Sequence, residues 1–376
     1  CEMREWWRSL RMTYFVVDPR SLGVFRVLFG LVLVSDLLRR WAELRFWYTN
    51  SGLLPNHTLL WRPPAPHSFS LFFTVSSQRE AELGFALCAV AYAMFVLGYR
   101  TRLAQVLTLL ARVSLNSRLA VLENGGDMVM DLLCLLTLVL PLGTRFSLDA
   151  VLLQLQGERA RPSDARPSLE VADAARRPVV SLAVLGLLLQ FATIYYFNAA
   201  AKSGAAWRDG SAVHYALHQD KLVTWAGVWM REHLPSDALR ARTGSTLATE
   251  WLGFVLIITR VCVRQARLLA VCLMPCLHLG FAVGLNLGGF SPAMMSFFPL
   301  LLTAEHWDAL ARRFGPRVSP MCQQLQLRLR PWLRGLGAPP VAAPPNAWRA
   351  KAFRWLSEGG VALLLLAIAS EVLNDN

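Results

Sequence analysis

The stretch VVSLAVLGLLLQFATIYYFNAAAK, residues Val179–Lys202, runs 23 residues without a charge and then reaches a lysine followed by Ser203-Gly204. A helix rises 1.5 Å per residue, so this run is long enough to cross the hydrocarbon core of a bilayer once. A lysine at such a place has two readings. It commonly snorkels to the headgroups on its aliphatic stem. Partly desolvated, it is instead an amine able to accept a proton near neutral pH. The second reading makes Lys202 a candidate base, and Ser203 and Gly204 leave room for a substrate to approach it.

Composition extends the membrane reading to the whole chain. Of 376 residues, 55% are hydrophobic and 17% charged, against about a quarter charged in soluble domains. Thirteen tryptophans suit the headgroup level, and twenty prolines are tolerated in spans whose neighbours satisfy the freed carbonyls. The net charge of +13 is not a sign of nucleic-acid binding, because the arginines stand in short clusters between apolar runs. Five of the seven cysteines, Cys88, Cys134, Cys262, Cys272 and Cys276, lie in or beside apolar runs and read as small buried side chains rather than a disulfide framework. Cys272, Cys276 and His278 have a faint metal-ligand look, but on a membrane helix packing is the reading taken and no metal is expected. Cys1 rather than methionine stands first, which raises the expectation of a missing start. No cleavable signal peptide is visible.

Nine spans are expected: Leu22–Leu38, Leu83–Gly98, Leu103–Leu122, Met128–Leu142, Val179–Ala201, Leu247–Val263, two within Leu268–Ala304, and Gly359–Leu373. The uncharged Leu268–Ala304 run is too long for one helix, and Asn286-Leu287-Gly288-Gly289-Phe290-Ser291-Pro292 is its expected break. Residues 211–233 carry Val213, Leu217, Leu222, Trp225 and Trp229 at near-helical spacing among polar residues, which predicts an interfacial amphipathic helix. Residues 157–178 read as a flexible loop and 335–346 as a Pro/Gly linker. With a cytoplasmic N-terminus, the cytoplasmic segments hold more than twice as many Lys and Arg as the opposite side, so that orientation is expected. The fold class is therefore all-α, a polytopic transmembrane bundle of about nine spans.

Charges inside spans cost a few kcal/mol each, on the order of 3 at the bilayer centre, so they face one another or a cavity. Arg26, Asp36, Arg112, Asn116, Arg118, Asp131, Glu250 and His278 fall in expected spans, and Asp127 stands at the start of one. Their signs nearly balance, so ion pairing accounts for many of them. Their number favours a polar interior. His278 reads first as a satisfied core histidine, but it shares its uncharged run with the Asn286–Pro292 break, and broken backbone at membrane depth normally lines a site.

Several stretches together resemble the HTTM domain, which vitamin K-dependent gamma-carboxylases share with many bacterial membrane proteins. They are Asp18-Pro19-Arg20-Ser21-Leu22-Gly23-Val24-Phe25-Arg26 with Gly30-Leu31 and Asp36-Leu37; Phe46-Trp47-Tyr48-Thr49 with Gly52-Leu53-Leu54-Pro55; Leu115-Asn116-Ser117-Arg118 with Glu123-Asn124-Gly125-Gly126-Asp127; Leu140-Pro141-Leu142-Gly143 with Phe146-Ser147-Leu148-Asp149-Ala150; and Tyr196-Phe197-Asn198-Ala199 before Lys202, with Trp207 and Gly210 after it. His278, Gly288 and Phe290 match the family's late His and Gly-x-Phe positions. The resemblance implies that Lys202 stands where a lysine deprotonates vitamin K hydroquinone, so that vitamin K hydroquinone or another quinol is the implied cofactor. Two features depart from a true carboxylase. The functional histidine near the fourth span is replaced here by Asn124-Gly125-Gly126-Asp127, and the large peptide-holding domain is not in this sequence.

The leading expectation is a multi-pass protein of a bacterial plasma membrane, in contact with membrane lipid. It acts on a quinone-like cofactor or a secreted peptide, with no nucleic-acid partner and with lyase-type carboxylation as one possible chemistry. Lys202 is the base, and His278 with nearby Asn286 orients or relays protons. Arg118 and Asp127 form a structural or anion-binding pair near the cavity mouth, and His214 meets the substrate at headgroup level. Two rivals stay open: a non-catalytic binding or transport module, including one for peptide maturation, and a scaffold whose charges only fix helix packing.

Overall fold

Asp18 stops the N-terminal helix α1 (Glu2–Tyr14) from running on into the first span. Its carboxylate accepts from the Arg20 amide, and Pro19 takes the first helical position, where no amide hydrogen is needed. From that cap runs α2 (Pro19–Ala42). The computed structural model describes residues 2–61, 69–159, 177–333, 335, 355, 357–363 and 366. The chain is mostly helical; β1 (Val16–Val17) and β2 (Val179–Val180) pair antiparallel, Val16 opposite Val180.

After α2, the chain forms α3 (Gln78–Leu97), α4 (Thr101–Arg118) and α5 (Gly125–Thr137). Ser77 and Glu80 close a capping box on α3, and Asn124 and Asp127 close one on α5. Helix α3 ends at Gly98, whose φ of 66° is the left-handed conformation that glycine adopts without penalty. Helix α6 (Leu148–Arg159) follows, then α7 (Leu182–Ala201), which Ser181 caps through the Ala183 amide. Beyond it lie the short α8 (Ala212–Leu217) and α9 (Trp225–His233), then α10 (Ser236–Ile258), α11 (Val263–Gly284), α12 (Phe290–Phe297) and the long α13 (Ala304–Leu333).

Among the described residues, four helices are long and apolar enough to cross a membrane: α2, α3, α7 and α11. Phe290–Leu301 is a shorter apolar run. The other expected spans differ in their bounds for local reasons. Helix α5 stops at Thr137 rather than Leu142, and the Gln105 amide donates to the freed Thr137 and Leu140 carbonyls at 2.6 and 3.1 Å. Helix α10 begins at Ser236, well before Leu247, and Arg260 falls beyond its end. The expected amphipathic helix over 211–233 is instead two short helices, because the backbone turns at His218 and Thr224 starts a new cap on the Gly227 amide. The loop expected from residue 157 begins later, since α6 runs to Arg159. The rest of that loop, nearly all of 335–346 and most of Gly359–Leu373 lie outside the described residues.

Two layers of packing build the interior. One is aromatic: Phe25 stacks on Phe29, Phe29 meets Phe95 edge-on, and Tyr48, Phe72 and Phe85 form a mutual cluster. The other is ionic and joins α2, α4 and α5. The fully buried Arg112 reaches Asp36 at 2.8 Å, Asp127 at 2.6 Å and Asp131 at 2.7 Å, while Arg40 bridges Asp36 and Asp127 at 2.8 and 2.6 Å. Arg39 adds a bond to Asp36 at 2.7 Å. Three guanidinium groups thus meet three carboxylates, and the cluster is neutral. Arg26 is also buried and donates to the Phe146 carbonyl.

Candidate functional site

Outside that cluster, Lys202, Tyr195, Glu250 and His278 line one cavity. Its volume is about 510 Å³, and α7, α8, α10, α11 and α12 contribute to its wall. Helices α7 and α10 pack together along their length, and α10 continues past the end of α7 at Lys202. That overhang brings Arg242, Thr246, Thr249 and Glu250 onto the wall at helical spacing. From α11, Leu273, Leu277, His278, Phe281 and Gly284 face it from the other side. Asn198, Arg242, Ser245, Cys276 and Gly280, all exposed, also lie on the wall.

Lys202 is the C-cap residue of α7 and lines this cavity. Its Nζ donates to Glu250 Oε2 at 2.5 Å and to the Asn198 carbonyl at 3.1 Å. The ammonium also stands 5.3 Å from the centre of the Trp207 ring, within cation–π reach. The Lys202 side chain is 19% exposed and that of Glu250 is 5% exposed. Lys202 therefore does not snorkel freely into solvent.

The deep end of the cavity holds a second couple. Tyr195 stands seven residues before Lys202, two helical turns back on the same face of α7. Its hydroxyl and His278 Nε2 are 2.6 Å apart, and both side chains are buried. His278 Nδ1 has no hydrogen-bond partner, and the ring is surrounded by Phe281, Phe290 and Phe298. When the tyrosine donates to Nε2, the neutral imidazole carries its proton on Nδ1, a donor without an acceptor. Pro275 lies one turn before His278 within α11 and has no amide to give, which loosens the helix near the site.

The other expected site residues stand off the cavity. Asp127 pairs with Arg40 and Arg112, not with Arg118. Arg118 is buried elsewhere and donates to the Leu54 carbonyl at 2.6 Å. Asn286 is exposed; its amide donates to the Leu222 carbonyl at 2.6 Å, and its side chain turns the chain at Gly288. It fastens the loop before α9 to the break after α11, together with the Val223–Leu285 bridge. His214 is exposed and lies beside His218, with ring centres 4.2 Å apart, while its neighbours Val213 and Ala216 face the cavity.

Reasoning from the sequence assigned no role to Glu250, Tyr195 or Trp207. Glu250 carried a signal, since it is the one acid in the Leu247–Val263 run. Tyr195 also carried one, in its spacing to Lys202. Trp207 lies on a short helix, Ala205–Arg208, whose placement no periodicity announces. Beyond it, Asp209 accepts from the Ser211 hydroxyl and amide at 2.6 and 2.8 Å, and these bonds hold its carboxyl below the usual range. No protein-family model, curated protein or solved structure matches the chain.

Proposed function

We propose that this chain is a polytopic membrane protein that binds an amphiphilic, quinone-like ligand in the Lys202 cavity and uses Lys202 as a base. The observation that carries the proposal is one largely apolar cavity of about 510 Å³ holding a half-buried lysine bonded to a buried glutamate and a buried histidine with an unpartnered nitrogen. Ligand sites of this size are typically apolar with a few convergent polar groups. The resemblance to the HTTM domain supports the same choice, because Lys202 stands at the position of that family's basic lysine.

In this reading the pair works as a proton store. An ammonium bound to a carboxylate is not a base. When a ligand fills the cavity and displaces water, the charged pair loses solvation, and the neutral amine with the neutral acid becomes the favoured form. With the Nζ proton on Glu250 Oε2, the free Lys202 amine would be placed to accept a proton from the hydroxyl of a bound quinol. His278 Nδ1–H donates to a carbonyl-type oxygen at the other end of the ligand, with Tyr195 holding the ring in that tautomer.

The proposed setting is the plasma membrane of a bacterium, N-terminus inside, with α4, α5, α10 and α12 also at membrane depth, which makes eight of the about nine expected spans. It is supported by the inward-facing, mutually neutralised charges of α2, α4 and α5. A secreted peptide is the proposed second substrate, taken to the exposed part of the cavity wall.

The test joins two measurements. Mass spectrometry of the purified protein should find a bound quinone or quinol. Lys202→Arg, which keeps the charge but cannot supply a neutral amine, should abolish turnover and preserve binding. The Lys202–Glu250 bond also favours a second reading, a non-catalytic binding or transport module in which the pair is simply a closed gate. That module tolerates Lys202→Arg.

A further inference from the structure

Helix α13 is held at its two ends and bare in the middle. At its start, Trp307 Nε1 donates to Ser21 Oγ at 2.8 Å, Arg20 bonds Asp308 at 2.7 Å, and Arg264 bonds Glu305 at 3.1 Å. At its end, Leu333 is buried against Leu152 and Leu155 of α6. Thirty residues at 1.5 Å each give about 45 Å of helix between those anchors. Nearly every described residue from Asp308 to Leu329 is exposed.

The bare stretch is not a solvated helix in character. Leu310, Phe314, Val318, Met321, Leu325 and Trp332 recur at three-, four- and finally seven-residue spacing and form one apolar stripe, all exposed. Between Asp308 and Leu333 the sequence has five arginines, at 312, 313, 317, 328 and 330, and no acid. A helix with an oily stripe and exposed arginines at 312, 313, 317 and 328 suits the boundary between acyl chains and negatively charged headgroups.

Helix α1 stands at the same end of the molecule and repeats the pattern. Trp6 and Trp7 are exposed, with Arg4, Arg8 and Arg11 alongside. Four contacts fix α1 to that end: the Tyr14 hydroxyl donates to the Ile258 carbonyl at 2.6 Å, Arg267 donates to the Thr13 carbonyl, Arg260 lies over the Trp6 ring, and Ser181 bonds the Phe15 carbonyl. Arg260 in the α10–α11 turn and Arg264 at the start of α11 join the two amphipathic helices into one basic rim.

We infer that α13, with α1 beside it, is an in-plane anchor that binds a leaflet rich in anionic lipid, its apolar stripe among the acyl chains and its arginines on the headgroups. The inference is independent of the cavity and of what occupies it. The two features do not share a residue, so either stands if the other fails.

The test uses the full chain in nanodiscs of phosphatidylcholine alone or with phosphatidylglycerol. A spin label is placed on the stripe at Met321→Cys, with Cys1, Cys262, Cys272, Cys276 and Cys322 replaced by serine. With phosphatidylglycerol the label should be open to oxygen and closed to a water-soluble nickel relaxant. In phosphatidylcholine alone, or at high salt with phosphatidylglycerol, the balance should shift toward nickel. The quadruple variant Arg312→Glu, Arg313→Glu, Arg317→Glu and Arg328→Glu should lose the lipid dependence. The salt titration reads the same property without changing those arginines. A label equally aqueous in both lipids overturns the inference. So does one equally buried in both, which would mean an anchor indifferent to charge, or dipolar broadening between labels, which would mean that a second copy covers the stripe.

Discussion

The Lys202–Glu250 bond is the contact on which the proposed chemistry rests, and a double-mutant cycle measures it. Lys202→Met strands a carboxylate that is 5% exposed and has no other partner among the described residues. Its cheapest escape is to take up a proton, and for a carboxyl with an ordinary pKa near 4.3 that costs about 4 kcal/mol at pH 7. Removing one member of a buried pair costs about 3–5 kcal/mol, in line with that ceiling. Glu250→Gln strands the ammonium instead, but Nζ keeps the Asn198 carbonyl, the Trp207 face and partial solvent contact. That loss should be smaller, about 2 kcal/mol. The double variant removes both charges and should fall well short of the sum, giving a coupling of about 2–3 kcal/mol. Reversible unfolding in mixed SDS micelles, followed by circular dichroism, reads each term. The Lys202→Met penalty should also shrink as pH falls from 7 toward 5, because the stranded carboxyl then protonates at less cost. A coupling below about 0.5 kcal/mol, the level of additive distant sites, would refute the pair and with it the proton store.

Gly98→Ala should destabilise the protein by about 2–5 kcal/mol, because a side chain at φ 66° is strained and its Cβ would meet the buried Arg26 guanidinium; a fall in thermal midpoint with Ser147→Ala unaffected in sign would locate the cause. Gly227→Ala would press on the Gly284 carbonyl, which the Thr224 amide also binds at 3.1 Å, and should speed exchange of the Thr224 amide about fivefold, read by hydrogen–deuterium exchange. His306 Nδ1 accepts from the Thr303 amide at 3.1 Å at the start of α13, and burial lowers the imidazole pKa from its ordinary 6.5, so the ring is neutral in the fold. Its stabilising effect is complete above pH 6.5 and is lost as pH falls below that value, so protection of the Thr303 amide should drop on acidification, and His306→Asn should remove the pH dependence.

Helical class and the position of Lys202 were legible in the sequence because both depend on uninterrupted apolar length, which is local. The break after α11 was legible for the same reason, since Asn286 to Pro292 is a run of turn formers. What the sequence concealed is which charges meet. Arg112 lies 76 residues from Asp36 and 19 from Asp131, and nothing in either local pattern says that both bind it. Arg118 and Asp127 are nearer in sequence yet do not meet, because Arg118 lies six residues after Arg112 on α4 and points away from the side on which Arg112 binds Asp127. Helix α13 was hidden by its prolines at 316, 320 and 331, which read as breakers, although its 3–4 apolar spacing and its arginines were present throughout.

Two kinds of buried charge in this bundle follow from that pairing. In the Arg39, Arg40, Arg112, Asp36, Asp127, Asp131 cluster every carboxylate has at least one guanidinium, and the most buried members have two or three. Guanidinium stays protonated at any working pH, so such a cluster stores geometry and cannot pass protons. At the Lys202–Glu250 contact the cation is an amine, its carboxylate partner is 2.5 Å away, and the nearby imidazole keeps a nitrogen free. Amine, carboxyl and imidazole can each exist neutral, which is what a proton-transfer site requires. This contrast is why Lys202→Arg, conservative in charge, is the more telling substitution than Lys202→Ala: it would convert the second kind of site into the first while leaving the Glu250 bond in place.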